Sequence, residues 1–168
     1  VLFMNQLLHV SASPHIKDRV TTSSIMLDVI IALIPATLFG IIQFKINALL
    51  IIVTTITTCV LAEYLYERFM KKTITIKDLS AVVTGLILAL NLPSTVPLWL
   101  PVIGGLFAII VVKQFYGGLG QNFMNPALAA RCFLLISFTG RMTNFVFDGM
   151  TSSTPLAILK NGESFDLI

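Results

Sequence analysis

A single residue, Lys45, separates two long apolar runs, "SIMLDVIIALIPATLFGIIQF" at 24–44 and "INALLIIVTTITTCVLAEYLY" at 46–66. Each is long enough to cross a hydrocarbon core of about 30 Å, which takes about 20 helical residues. A bilayer offers no water to backbone N–H and C=O groups, so helices are the default for such runs. With one residue to turn on, the two helices are expected to pack as an antiparallel hairpin. Ser23 or Ser24 is the expected cap of the first, and Pro35 is placed to kink it. Asp28 lies one turn inside its start, where the positive end of the helix dipole favours a carboxylate.

Composition points the same way. Hydrophobic residues make up 56% of the chain and charged ones 11%, against roughly a quarter charged in an ordinary soluble domain. The net charge of +3 is not a nucleic-acid footprint, because the basic residues sit between apolar spans rather than along one face. Cys59 and Cys132 lie inside apolar stretches without C-x-x-C spacing, which argues against an iron-sulfur cluster or thiol redox pair and for buried thiols. His9 and His15 have no partner cluster, so no metal site is expected. The first ten residues lack the basic start of a signal peptide.

The loop "ERFMKKTITIKD" carries Arg68, Lys71, Lys72 and Lys77, and Lys17 and Arg19 precede the first run. Under the positive-inside rule both segments stay cytoplasmic. The next stretch, 79–92, is apolar but too short for a comfortable crossing, and "NLPSTVPLWLP" then places three prolines in close succession. Residues 98–116 return toward the cytoplasm, with Trp99 suited to the interface and Gly104 and Gly105 permitting close helix contact. "GGLGQNFMNP" breaks the chain again before a second short segment at 127–138. Non-helical backbone at membrane depth survives only where it is packed in protein or lines a site, so two such breaks point to a binding site.

The expected architecture is therefore all-α, a polytopic membrane protein with broken and short helices. It divides into a cytoplasmic segment at 1–23, a membrane domain at 24–138 of about five helical segments, and an extracytoplasmic loop at 139–168. The odd number of crossings suggests one half of an inverted-repeat, transporter-like fold.

"GGLGQN" is not a nucleotide loop, because no strand of a soluble sheet precedes it and no third glycine falls in register. Its glycines allow a tight reversal that lets the Gln121, Asn122 and Asn125 amides meet backbone or ligand. "NPA" at 125–127 matches the box of water and glycerol channels, but a second copy is missing. As plain structure, Asn125 is an N-cap with Pro126 at the first helical position. Arg131, one turn into that short helix, is either paired and functional or snorkels to the interface. Asp28 and Glu63 are similarly ambiguous: either is placed to touch a proton or sodium path, while Glu63, close to the cytoplasmic end of its span beside Arg68, reads more readily as interfacial. The hydroxyls of "DGMTSSTPLA" at 148–157 read generically as a helix start, with Thr154 the N-cap and Pro155 following it.

Taken together, "SPH" at 13–15, "IMLDVIIALIPA" at 25–36, "TGLILALNLP" at 84–93, "GGLGQNFMNPALAARCFLL" at 117–135 and "DGMTSSTPLA" at 148–157 resemble the D subunits of Rnf complexes, which are membrane-bound ferredoxin:NAD oxidoreductases. The related B subunits of sodium-pumping NADH:quinone oxidoreductases share them. The resemblance runs along nearly the whole chain, which stops about halfway through the family's length.

The resemblance implies an FMN attached through its phosphate to a threonine in a motif resembling D-x-x-[ST]-G-A-T. Asp148 then stands as the leading acid, Thr151 as the first hydroxyl and Thr154 as the acceptor. Ser152 and Ser153 replace the usual Gly and Ala; Ser for Ala is nearly isosteric, so modification at Thr154 is still expected. Gln121, Asn122, Asn125 and Arg131 are the further flavin-site or supporting residues, and riboflavin is implied without assigned residues. The implied partners are the bilayer, membrane subunits of the A, E and G type, peripheral B and C subunits, and a flavin transferase acting outside the cytoplasm. The implied function is electron transfer from ferredoxin toward NAD, coupled to sodium or proton export in the cell membrane of a prokaryote. The chain is then an electron carrier within a translocating oxidoreductase rather than a complete enzyme. A broken-helix channel or transporter, and a scaffold subunit without redox groups, are the competing classes.

Overall fold

Helix α1 runs along Thr22–Phe69 and breaks at Lys45, whose φ of 54° and ψ of −137° leave the helical region. The computed structural model describes residues 21–72, 75–147 and 150–152, with the strands at 145–147 and 150–152 described by their backbone alone. The two arms of α1, residues 22–44 and 46–69, are each about 35 Å long at 1.5 Å per residue, enough to span a bilayer. They fold back on each other at Lys45. Ser23, at the start of the first arm, donates from its hydroxyl to the Lys77 carbonyl at 3.2 Å, and Glu67, near the end of the second, accepts from the Thr75 N–H at 3.0 Å. Both ends therefore lie together.

The cap of α1 is Thr21, not Ser23 or Ser24. Its extended backbone lets its hydroxyl oxygen accept from the Ser24 N–H at 3.3 Å, the geometry an N-cap requires, and Ser23 is free to tie down the neighbouring loop. Pro35 keeps helical angles; the break inside α1 is at Lys45. Ile31, Leu38, Phe39, Ile42 and Ile46 are all more than half exposed, an outer surface suited to lipid tails rather than water.

Helix α2, Ser80–Leu90, lies against both arms. Gly85 is so close to the second arm that an added Cβ would stand 2.9 Å from the Ile56 Cα. At about 16 Å long, α2 reaches roughly halfway through a bilayer. The Asn91 amide then donates to the Ile87 carbonyl at 2.7 Å, satisfying one of the groups a helix end leaves open. The proline-rich break after it is held in protein, as irregular backbone at that depth must be. Val96 is buried with Leu100, Leu134 and Met142, and the Thr95 hydroxyl donates to the Asn144 carbonyl at 2.8 Å.

Helix α3, Trp99–Gln114, is α-helical to Leu106 and π-helical from Phe107. Gly104 faces Leu134, and Gly105 faces Thr58 and Cys59, so both glycines sit where helices approach closely. Gly117, Gly118 and Gly120 then reverse the chain with φ of 114°, 101° and 87°. Helix α4, Pro126–Ser137, returns toward the far end, capped by the Asn125 side chain, which accepts from the Ala127 N–H at 3.0 Å. Ala127, Ala130 and Leu134 form its buried face, and Phe107 stacks on Phe133 with ring centroids 4.2 Å apart.

A short helix α5, Thr139–Met142, leads into an antiparallel hairpin of β1, Phe145–Phe147, and β2, Met150–Ser152, with Val146 opposite Thr151. This hairpin is an addition to the helical architecture. It leaves the domain beside Thr95, at the end opposite Lys77. Segment ends thus alternate between the lysine-rich end and the hairpin end through five successive helical segments.

Candidate functional site

Glu63 and Glu67 are one turn apart on the second arm of α1 and so share a face. Both are buried. Glu67 accepts from the N–H and the hydroxyl of Thr75, which folds the connecting turn back over the end of α1. That turn, a 3₁₀ element at Ile76–Asp78, ends with Leu79 in the left-handed region at φ 59°. The strained Leu79 redirects the chain into α2 and leaves the Ser80 side chain facing inward.

From the opposite side, α3 brings Lys113 and Gln114 to the same point. Lys113 Nζ donates to Glu63 Oε1 at 2.5 Å and to Ser80 Oγ at 2.7 Å. Gln114 Nε2 donates to Glu63 Oε1 at 3.3 Å. The side chains of Lys113 and Glu63 are 2% and 1% exposed. Neighbouring residues on an α-helix diverge by 100°, and the wider π turn at Phe107–Gln114 narrows that divergence, so both can point inward; π segments are frequent at functional sites. Glu63 Oε2 is buried and has no hydrogen-bond partner. Glu63 is therefore a core residue and not an interfacial one, and Asp28 lies exposed on the outside of α1.

Next to this cluster is a cavity of about 150 Å³ lined by Lys113, Ser80, Thr84, Asn122 and Asn125 together with apolar side chains. Asn122, with its amide turned to satisfy both groups, donates to the carbonyls of Gly118 at 3.0 Å and Lys113 at 3.3 Å. Asn122 and Asn125 are thus brought together ahead of α4, on a cavity that Lys113 and Ser80 also line. Gln121 is exposed and serves the glycine turn, its N–H donating to the Gly118 carbonyl at 3.3 Å. Arg131 is elsewhere: its Nη1 donates to Asn91 Oδ1 at 2.7 Å, tying α4 to the end of α2. Thr151 is on β2, paired with Val146. Asp148, Ser153 and Thr154 lie outside the described residues.

Replacing Asn125 by alanine removes the cap of α4 and is expected to cost about 1 kcal/mol, read as a lower midpoint in thermal unfolding of the detergent-solubilised protein. Substituting Asn122 leaves the cap in place, so the two asparagines are separable in stability.

A profile of the family described as NQR2, RnfD, RnfE matches residues 9–168. The chain belongs to that family. It is 50% identical over 166 residues to the D subunit of the Na(+)-translocating ferredoxin:NAD(+) oxidoreductase complex of Acetobacterium woodii, an alignment covering 96% of this chain and 52% of the relative. It is 42% identical over 157 residues to the D subunit of the proton-translocating ferredoxin:NAD(+) oxidoreductase complex of Clostridium ljungdahlii, covering 90% and 47%. With the D subunit of the ion-translocating oxidoreductase complex of Shewanella denitrificans it shares 42% over 139 residues, covering 82% and 40%. The chain spans about half the length of the curated relatives it matches. Family membership and the lipid-suited surface of α1 together make this a membrane protein.

Sequence reasoning did not single out Lys113, Gln114, Ser80, Glu67 or Thr75. The available signal was a pair of opposite charges, Glu63 and Lys113, each at the same end of an apolar run. Ionisable groups at such positions are costly unless partnered, and the two costs are reduced together when the groups meet.

Proposed function

We propose that this chain is the flavin-bearing, electron-carrying part of an ion-translocating ferredoxin:NAD oxidoreductase, with FMN joined through its phosphate to Thr154. What carries the reading is the match, along nearly the whole chain, to relatives named as D subunits of such complexes, a match that takes in the hydroxyl-rich motif "DGMTSSTPLA". Its membrane partners are subunits of the A, E and G type, with peripheral B and C subunits, and its membrane is the cell membrane of a prokaryote.

The fold supports an extracytoplasmic position for the motif. The hairpin that leads into it leaves the domain at the end opposite Arg68, Lys71, Lys72 and Lys77, and the positive-inside rule puts those four in the cytoplasm. Thr151 is on the second strand of that hairpin, opposite Val146. A transferase needs a hydroxyl on accessible backbone, which surface loops supply.

The residues around Asn122 fit the polar edge of a second, non-covalent flavin. Lys113, Asn122, Asn125, Ser80 and Thr84 supply donors and acceptors suited to ring carbonyls and nitrogens. Ligand pockets usually run from roughly 300 Å³ upward, so at about 150 Å³ this cavity is a polar corner that holds one edge of a ring. A flavin supplies the one- and two-electron chemistry; this chain's residues position it, tune its charge environment and keep water from it.

Peptide mass spectrometry of the full-length protein, made in a host with the flavin transferase, tests the attachment. The peptide containing "DGMTSSTPLAILK" is expected to carry an FMN phosphoester on Thr154, and Thr154→Ala to carry none. An unmodified wild-type peptide, from a host whose transferase modifies another substrate, would show that Ser152 and Ser153 in place of Gly and Ala block the reaction and would remove the covalent-flavin reading.

A further inference from the structure

We propose that the cleft between the two arms of α1 and the end of α2 is a phospholipid site, with an acyl chain lying in the cleft and an anionic headgroup held at Lys45. The site is at the opposite end of the domain from Glu63 and Lys113, and the proposal is independent of any flavin.

The cleft is a cavity of about 420 Å³, lined by Gly40 and Phe44 from the first arm, Ala48 and Ile52 from the second, and Ala89 and Pro93 from the end of α2 and the break after it. That volume falls within the range of ligand pockets. Its floor is packed core, where Ile51, Ile52 and Ala89 are buried together with Leu86. Its outer edge is open: Phe39 and Phe44 are exposed, and a Cβ added at Gly40 would meet nothing within 4 Å. Water does not fill a space with such apolar walls, and leaving it empty forfeits dispersion contacts along the lining. The medium at the open edge of a membrane helix is hydrocarbon, so hydrocarbon is what enters.

Position and charge specify a lipid. From Ala36 to Phe44 the lining runs about 12 Å along the first arm at 1.5 Å per residue, close to one leaflet's half of a core of about 30 Å. It begins at the depth where α2 ends and stops at the Lys45 bend, the level of the headgroups. Lys45 is exposed and makes no ion pair among the described residues. Its φ of 54° and ψ of −137° strain any residue but glycine, and a lysine at this end runs against the bias that collects basic residues at the other. Both costs are offset when the ammonium meets an anionic headgroup. A second cavity of about 280 Å³ shares Ile51 and Ser94 with the first and is also lined by Asn47 and Thr95. Amide and hydroxyl groups beside an apolar slot suit the glycerol and ester oxygens of a lipid.

Photocrosslinking of the full-length protein in its complex, reconstituted in vesicles containing phosphatidylglycerol with a diazirine on its acyl chain, tests this. Peptide mass spectrometry is expected to find the label concentrated on the cleft residues rather than spread over the outward-facing Ile31, Leu38 and Ile42. Lys45→Gln is expected to lower cleft labelling about fivefold, the worth of one lysine beside an anionic headgroup, and to leave the weaker labelling by a phosphatidylcholine probe unchanged. Gly40→Leu fills the cleft while favouring the helix and is expected to abolish the excess label there; Lys45→Gln keeps the test decisive should Gly40→Leu fail to assemble. Even labelling of the outer surface, cleft labelling that survives Gly40→Leu, or equal labelling by the two probes would each overturn the proposal. So would displacement of the label by a short-chain quinone and not by unlabelled phosphatidylglycerol, which would make the cleft a ring site. Label that reaches the cleft only in protein stripped of its partner subunits would overturn it too, because another subunit then covers the cleft. Thr154→Ala is expected to label as the wild type does, so failure here leaves the flavin attachment untouched.

Discussion

Replacing Lys113 by methionine is expected to destabilise the membrane domain by about 3–5 kcal/mol, the cost of stranding one partner of a buried ion pair. That is a large share of the roughly 5–15 kcal/mol that holds a typical domain together. Methionine keeps most of the stem volume, so packing against α2 changes little; what is lost is the ammonium between Glu63 and Ser80. The double variant Lys113→Met with Glu63→Leu is expected to recover most of the loss, because replacing both members of a buried pair by apolar residues is often neutral or better. Thermal unfolding of the two single variants, the double variant and the wild type in detergent gives the coupling between the sites. A single Lys113→Met protein as stable as wild type would mean that water reaches Glu63 and that the pair is not dry.

This pair marks where sequence reasoning succeeds and where it stops. Apolar runs, their lengths and the single-residue link at Lys45 are local properties, and they gave the arms of α1, the shortness of α2 and α4, and the Asn125 cap from pattern alone. The reversal at Gly117 to Gly120 was legible for the same reason, since tight turns demand glycine. The meeting of Glu63 with Lys113 is separated by 50 residues and depends on a π segment whose register no local pattern announces. Arg131 shows the converse: its position in a short helix was legible, but its partner, Asn91, is 40 residues away, and that contact draws it from the cavity where its two asparagine neighbours in sequence converge.

Gly85 shows how closely the short helix is fitted. Gly85→Ala places a methyl carbon 2.9 Å from the Ile56 Cα and 3.3 Å from both the Ile56 nitrogen and the Thr55 carbonyl oxygen. All three are backbone atoms of the second arm, so no side chain can swing aside and the helices must separate. Overpacking of this kind costs about 1–3 kcal/mol, and the better helix propensity of alanine returns about 1 kcal/mol. Gly85→Ala is therefore expected to lower stability by up to about 2 kcal/mol, and Gly85→Val by considerably more. The damage should not be confined to that contact, because α2 begins at Ser80 and its tilt sets where the Ser80 hydroxyl meets Lys113. Thermal unfolding gives the first effect. The second is read by combining Gly85→Ala with Ser80→Ala: a separated α2 has already lost the Ser80 contact, so the two losses should sum to less than their separate values. Strict additivity would mean that the second arm bends locally at Ile56 and that the position of α2 is held from its other end.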